Sequence, residues 1–291
     1  MFKRIVTSIV DCACPQCGPS RRSNINRIRE VRREWHSADG SFTWYCVRCG
    51  SSGANDRGVA VSSSASFNPK KVDLSNITKA QRASDLWRNS VSIHGTPAER
   101  YLTGRGIVRS LPTSLRFKEN CSHPKGYILP AMIAKIEGGN SFAIHRTYLA
   151  QDGSRKADIA PDKAMLGSAA GGAVRLSPGN GPLLVAEGIE TALSFLFPDV
   201  LFGAIISDPS TSNLFSRSAI LAALSTSGLK KLRLPEKPDQ LTIAVDGDEP
   251  GREAANALAE RAALLGWDVS LLRAPDGQDW NDVLIQELAK R

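Results

Sequence analysis

The sequence predicts an α/β protein, α+β overall. It has a small cysteine-rich N-terminal module, a basic mixed α+β middle, and a C-terminal domain on a mostly parallel sheet flanked by helices. Three observations predict it. Two CxxC pairs fall within the first fifty residues. Strand-like alternation recurs at 127–134 and 141–149. After residue 180, short apolar runs alternate with helical stretches, the pattern of a parallel sheet. At 291 residues and 42% hydrophobic content, the chain can build two or three domains with true cores.

The N-terminus, Met1-Phe2-Lys3-Arg4 followed by the apolar run Ile5 to Val10, is too short and too interrupted (Thr7, Ser8, then Asp11) for a secretory core. No stretch approaches the roughly 18–20 apolar residues that cross a bilayer. The expectation is a soluble, cytoplasmic protein, where cysteines bind metal more readily than they form disulfides. Cys14-Pro15-Gln16-Cys17-Gly18 and Cys46-Val47-Arg48-Cys49-Gly50 are two such knuckles. Two thiolates from each tight turn complete a tetrahedral Cys₄ site, so Cys14, Cys17, Cys46 and Cys49 are expected to hold a structural Zn²⁺. The long gap between them calls for an inserted hairpin, supplied by Glu34 to Tyr45 around Asp39-Gly40. Cys12 and His36 are alternative ligands, and Cys121 stands alone as a small core hydrophobe. Between the knuckles, Arg21, Arg22, Arg27, Arg29, Arg32 and Arg33 precede Trp35, Phe42, Trp44 and Tyr45. That pairing of guanidinium and aromatic groups suits single-stranded nucleic acid, or the aromatics form the module's own small core.

The module is assigned to residues 1–58. Residues 59–78 continue a Ser-, Gly- and Asn-rich stretch that begins at Ser51 and reads as a flexible linker. The basic subdomain, 79–180, opens with a helical pattern from Lys79, then a helix over Pro97 to Thr103 with Gly104 just past its end. Two strands follow, with Asp152-Gly153 as a hairpin turn. The last part, 181–291, has strands expected near 183–187, 201–206, 241–246 and 268–273, and an Ala/Leu-rich helix over Gly251 to Leu265. Ser207 to Lys231 receives no role.

Three acidic signals lie in this last part: Glu187 in Leu184-Val185-Ala186-Glu187-Gly188, the Asp246-Gly247-Asp248 triplet, and Asp279-Trp280-Asn281-Asp282. The first two follow apolar strands. Ligands of open α/β sheets bind beyond the carboxyl ends of the strands, so these acids should meet in one crevice. Carboxylates gathered there suit Mg²⁺ shared with substrate phosphates, which points to phosphodiester chemistry. Charge agrees. Residues 1–182 carry 27 Lys and Arg against 13 Asp and Glu, whereas residues 183–291 carry 10 against 16. A basic front beside an acidic back fits a protein that grips a polyanion and works on it with metal. No GxxxxGK[ST] occurs, so no P-loop motor is encoded.

Glu187-Gly188, Asp246-x-Asp248 and the later Asp resemble the Toprim domain of primases, topoisomerases, some nucleases and recombination mediators. The set from Asp246 to Gly251 followed by an alanine-rich helix is most similar to bacterial, phage and plasmid primases. The middle resembles the basic subdomain that precedes Toprim there. The matching pieces are Tyr101-Leu102-x-x-Arg105-Gly106-Ile107, Tyr127 to Met132, Ile144 to Leu149, Asp152 to Ala157 and Lys163 to Gly167. The resemblance implies a DNA primase making short RNA primers by metal-dependent nucleotidyl transfer. Glu187, Asp246 and Asp248 would hold Mg²⁺ or Mn²⁺, with Asp279 and Asp282 completing the site. Arg105, Arg146, Lys156 and Lys163 would hold nucleotide or template, unless they are solvated surface cations. Glu190, one turn into the following helix, could join the site or cap the helix, with the cap favoured, and Trp280 is expected to pack under the Asp279 loop. The implied partners are single-stranded DNA, nucleoside triphosphates and, since the sequence stops at Arg291, a separate replicative helicase. A Toprim nuclease and a non-catalytic recombination mediator with Cys₄ zinc remain as alternatives.

Overall fold

The structure, a computed structural model, describes residues 6–17, 30–38, 40–55, 74–205 and 217–291. Arg21, Arg22, Arg27 and Arg29, and most of the stretch read as a linker, lie outside the described residues. The chain divides into two units, Met1–Lys71 and Val72–Arg291. Among the described residues no helix is long and apolar enough to cross a membrane.

The first unit is an antiparallel sheet in chain order: β1 (Val6–Ala13), β2 (Glu30–Ser37), β3 (Phe42–Cys46) and β4 (Ser52–Asn55). The expected hairpin is β2–β3, and Gly40 takes the left-handed φ of +80° that its turn demands. The N-terminal apolar run becomes the edge strand β1. A cross-strand fork from Arg33 to both Asp11 oxygens, each at 2.7 Å, fixes its register.

The second unit begins with α1 (Leu74–Arg88), β5 (Val91–Ser92) and α2 (Pro97–Gly104). Strands β6 (Leu115–Ser122), β7 (Ile128–Ile136), β8 (Ala143–Tyr148) and β9 (Lys163–Leu166) join β5 in an antiparallel sheet that follows chain order. Next come β10 (Val174–Arg175), β11 (Gly181–Ala186), α3 (Ile189–Ser194), α4 (Pro198–Ile205), β12 (Ser218–Ala222) and α5 (Thr226–Lys231). The chain ends with β13 (Gln240–Val245), α6 (Glu249–Leu264), β14 (Asp268–Arg273) and α7 (Trp280–Ala289). The second sheet has the order β10-β12-β11-β13-β14, parallel except for the antiparallel edge β10.

Of the strand expected near 201–206, residues 201–205 are instead the end of helix α4, and Ile206 lies outside the described residues. Short apolar runs do not distinguish a strand from a buried helix by periodicity, and Pro198 at the first helical position starts a helix. The strand that lies beside β11 is β12, from the stretch that had received no role.

Both faces of the parallel sheet are buried. Leu184 and Ala186 of β11 point into one apolar cluster, and Leu183 and Val185 into another beneath α6. The first cluster also takes Tyr101 and Leu102 of α2, Met132 of β7, and Trp280 and Leu284 of α7. One continuous core therefore locks the antiparallel sheet to the parallel one, and elements from both can present side chains to a shared crevice. Trp280 packs on Phe195 with ring centroids 5.5 Å apart, and its indole N–H donates to the Leu272 carbonyl, so it anchors the start of α7 as expected.

The loop between β8 and β9 docks on the start of α2. Gly153 has a φ of +71°, and a Cβ there would sit 2.2 Å from the Pro97 carbonyl oxygen. The Gly153→Ala variant is expected to lose roughly 2–4 kcal/mol of stability, from left-handed strain and displacement of α2. Urea unfolding of the variant beside the parent protein checks this, and an unchanged midpoint would contradict it.

Candidate active site and metal centres

In the first unit the Sγ atoms of Cys14, Cys17, Cys46 and Cys49 all lie within 4.8 Å of one another. Cys14 is 3.9 Å from Cys49, and Cys17 is 3.8 Å from Cys46. Four sulfurs at the usual Zn–S bond length of about 2.3 Å around a tetrahedral ion stand roughly 3.8 Å apart, so the donor set fits zinc. Proximity splits the thiols: burial and the neighbouring thiols push Cys17 up to about 12, while hydrogen bonds from Ser51 bring Cys49 down to about 6. The alternative ligands stand apart from this cluster. Cys12 Sγ faces Glu34 at 3.7 Å. The His36 ring meets Glu34 at 3.0 Å and stacks on Phe42. Arg32 lies over the Trp44 ring at 4.2 Å and pairs with Glu34 at 2.7 Å. Tyr45 and Ile9, on the opposite face of this sheet by register, are exposed.

In the second unit the acids gather beyond the carboxyl ends of β11 and β13. Glu187, Asp246 and Asp279 line one polar cavity of about 110 Å³ together with Arg105, Lys156, Lys163, Glu190 and Thr191. Two larger grooves, of about 710 and 580 Å³, contain none of the sequence-predicted residues. Convergence of charge, rather than size, identifies the site.

Each acid is held by its local structure. Glu187 follows β11 directly, and the Thr226 N–H at the start of α5 donates to its carboxylate. Asp246 follows β13, 3.4 Å from the Thr191 hydroxyl. Asp248 is the N-cap of α6, accepting from the Gly251 N–H at 2.8 Å. Gly247 between them is required because a Cβ would fall 2.0 Å from the Pro275 carbonyl oxygen. That closeness seats the Asp246–Asp248 loop against the segment leading to Asp279, with Gly247 N–H bonded to Gln278 O at 2.8 Å. Asp279 and Asp282 form the reciprocal capping box of α7. Asp282 is outside the cavity lining, 3.7 Å from Arg105, and Asp279 is 3.9 Å from the same guanidinium.

The electrostatics show an excess of negative charge. Burial, followed by the charges of Asp279, Glu187 and Asp248, pushes Asp246 up to about 7. Burial and Asp248 likewise raise Glu187, against the pull of Lys163. Their oxygens do not close into a ready-made cage like the four sulfurs, as expected of anions that repel. Hard, crowded, partly buried carboxylates fit a divalent cation such as Mg²⁺.

The basic residues separate into two groups. Lys156 and Lys163 line the cavity, as does Arg105 at the C-cap of α2. Arg146 does not. It is buried, with Nη1 on the Ser122 carbonyl at 2.9 Å and Nη2 on the Met165 carbonyl at 3.3 Å, so it holds strands together. Strand alternation explains the difference: the adjacent His145 senses Glu190, Lys163 and Lys156, and Arg146 points to the other face. Burial holds His145 down at about 4, which keeps it neutral.

Glu190 does not act mainly as a cap. It is buried, takes the Tyr101 hydroxyl at 2.6 Å and pairs with Lys156 at 3.4 Å. Burial raises its pKa, but Lys156, Lys163 and Tyr101 prevail and bring it to about 2. Sequence reasoning missed Tyr101 as a partner, because its hydroxyl comes from a distant helix. It also missed Leu224 and Thr226 in the unassigned stretch. Leu224, at a φ of +73°, donates its N–H to the Glu187 carbonyl at 2.7 Å. The signal available was Ser225, an N-cap residue that closes on the Gly228 N–H.

Comparison with known proteins agrees with part of this. Residues 182–290 match the Toprim domain family. Residues 78–176 match a domain of unknown function, DUF7146. No curated protein matches the sequence. Among solved structures, the zinc-binding and RNA polymerase domains of the Aquifex aeolicus primase are 13% identical with a TM-score of 0.40, covering 100% of this chain and 79% of that one. The RNA polymerase domain of Mycobacterium tuberculosis primase DnaG is 14% identical with a TM-score of 0.38, covering 75% and 81%. Both likenesses are too distant to assign an activity.

Metal analysis of the purified chain is expected to find one zinc per molecule, with Cys46→Ser weakening retention by at least about 100-fold against a chelator. Full zinc in that variant would place the ion elsewhere.

Proposed function

We propose that this Toprim chain is a DNA primase, making short primers on single-stranded DNA by metal-dependent nucleotidyl transfer. The observation that carries the proposal is the cavity in which Glu187, Asp246 and Asp279 face Lys156, Lys163 and Arg105. A site for polyphosphate chemistry needs both charges: acids to hold divalent cations and fixed cations to take the phosphates the metal leaves uncovered. The zinc-binding module of the first unit, with its exposed Tyr45, supports a role in engaging single-stranded template.

Glu187, Asp246 and Asp248 would hold Mg²⁺ or Mn²⁺, with Asp279 beside them. When bound, such a cation neutralises phosphoryl oxygens and makes a hydroxyl more acidic. Lys156 and Lys163, which line the same cavity, hold the β- and γ-phosphates of the incoming triphosphate. Arg105 balances Asp279 and Asp282, keeping the α7 cap in place. A primer 3′-hydroxyl gives its proton to solvent water as its oxygen forms the new bond to the α-phosphorus, the α–β phosphoanhydride breaks, and pyrophosphate leaves with the electron pair. His145 is closed off by burial, which also lowers its basicity, so it is a poor base for the 3′-hydroxyl.

The test is primer synthesis on single-stranded circular DNA with labelled nucleoside triphosphates and Mg²⁺ or Mn²⁺. The wild type is expected to make short oligonucleotides, and Asp246→Ala at least about 100-fold fewer while still binding DNA. Primers from Asp246→Ala at the wild-type rate would refute the metal assignment. Degraded template without primers would identify a Toprim nuclease, and intact template without primers a DNA-binding protein.

A further inference from the structure

Glu190 is the most deeply placed charge at the cavity, and a buried ion pair needs a reason. Such a pair adds little stability over apolar side chains of the same size, because desolvation offsets the attraction. Glu190 is 6% exposed and sits one turn from Glu187 in α3. Its Oε1 accepts from the hydroxyl of Tyr101, itself 4% exposed, at 2.6 Å, which fixes the carboxylate in the wall. Lys156 Nζ reaches the same Oε1 at 3.4 Å while its side chain keeps 31% of its surface open, with Asp162 at 4.0 Å on the solvent side. The lysine stem is flexible and its ammonium has three donors. A fixed anion beside it takes one and holds the ammonium at the cavity it lines.

From this geometry we infer that Glu190 is a positioning residue: clamped by Tyr101, it holds the Lys156 ammonium at the cavity for the polyphosphate tail of the nucleotide. The inference rests on the proposed reading of the cavity as a polyphosphate site and adds the device that sets its specificity. Tyr101 belongs to α2 and Glu190 to the Toprim domain, so the clamp also ties phosphate binding to the docking of the two sheets.

Electrostatics alone would give the opposite sign. Glu190→Gln removes a negative charge from a site that takes a polyanion, so a simple charge effect tightens binding, whereas a lost clamp weakens it. The probe is sodium tripolyphosphate with Mg²⁺, titrated calorimetrically into the full chain, with melting temperatures taken in parallel. Lys156→Met is expected to weaken binding roughly tenfold, Glu190→Gln about five- to tenfold, and Tyr101→Phe about two- to fourfold. The double variant Glu190→Gln/Lys156→Met should bind no worse than Lys156→Met, because the two side chains act as one unit. Equal or tighter binding by folded Glu190→Gln overturns the inference, as does a wild type that fails to bind tripolyphosphate. Should Glu190→Gln not fold, Tyr101→Phe decides: wild-type affinity there overturns it too. The two proposals fail separately. A wild type that makes no primers but keeps this order of affinities loses only the primase reading. Priming by the wild type, with Glu190→Gln at wild-type affinity, loses only the clamp.

Discussion

Burial of mutually repelling carboxylates at the ends of two adjacent parallel strands is the constraint to which the second unit answers. β11 and β13 are adjacent parallel strands with Ala186 beside Ala244, so Glu187 and Asp246 both emerge at their carboxyl ends, and the capped starts of α6 and α7 add Asp248 and Asp279. With a folded value of about 7 against 3.8 for an ordinary aspartate, ionised Asp246 opposes folding. The penalty is absent below about pH 4 and complete above about pH 7, where it is of the order of 4 kcal/mol. A divalent cation bound among these acids would offset that penalty.

The rest of the unit supplies what the acids lack. Lys156 comes from the loop between β8 and β9, Lys163 from the start of β9, and Arg105 from the end of α2. They reach a cavity on another sheet because one apolar cluster runs through both. The Asn281 amide adds a polar tie, donating to the Arg105 carbonyl at 2.8 Å and to the Ser194 hydroxyl at 3.1 Å. Glycines allow the closest approaches: Gly247 against Pro275 on the acidic side, and Gly153 against Pro97 on the basic side. The site is thus a property of the joint core, and neither sheet alone would contain both charges.

Much of this was legible in the sequence because it is local. A strand that ends in Glu-Gly, an Asp-Gly-Asp before an alanine-rich helix, and two CxxC turns each declare a geometry within a few residues. What was not legible depended on contacts across the chain. Arg146 and Lys156 look alike in the sequence, yet strand alternation buries the first against carbonyls and a loop carries the second to the cavity. Glu190 resembles a helix cap until Tyr101, from 89 positions earlier, is brought beside it. The apolar stretch at 201–205 satisfies strand and helix patterns alike, and the helix that Pro198 starts runs through it.

The claim on which the account turns is that these carboxylates jointly hold a divalent cation. Mn²⁺ titrated into the zinc-loaded chain and followed by electron paramagnetic resonance tests it without requiring any reaction. Saturable binding by the parent protein, weakened at least about tenfold in Asp246→Asn while the zinc content is unchanged, is the predicted result. Identical Mn²⁺ binding by the two proteins would contradict it.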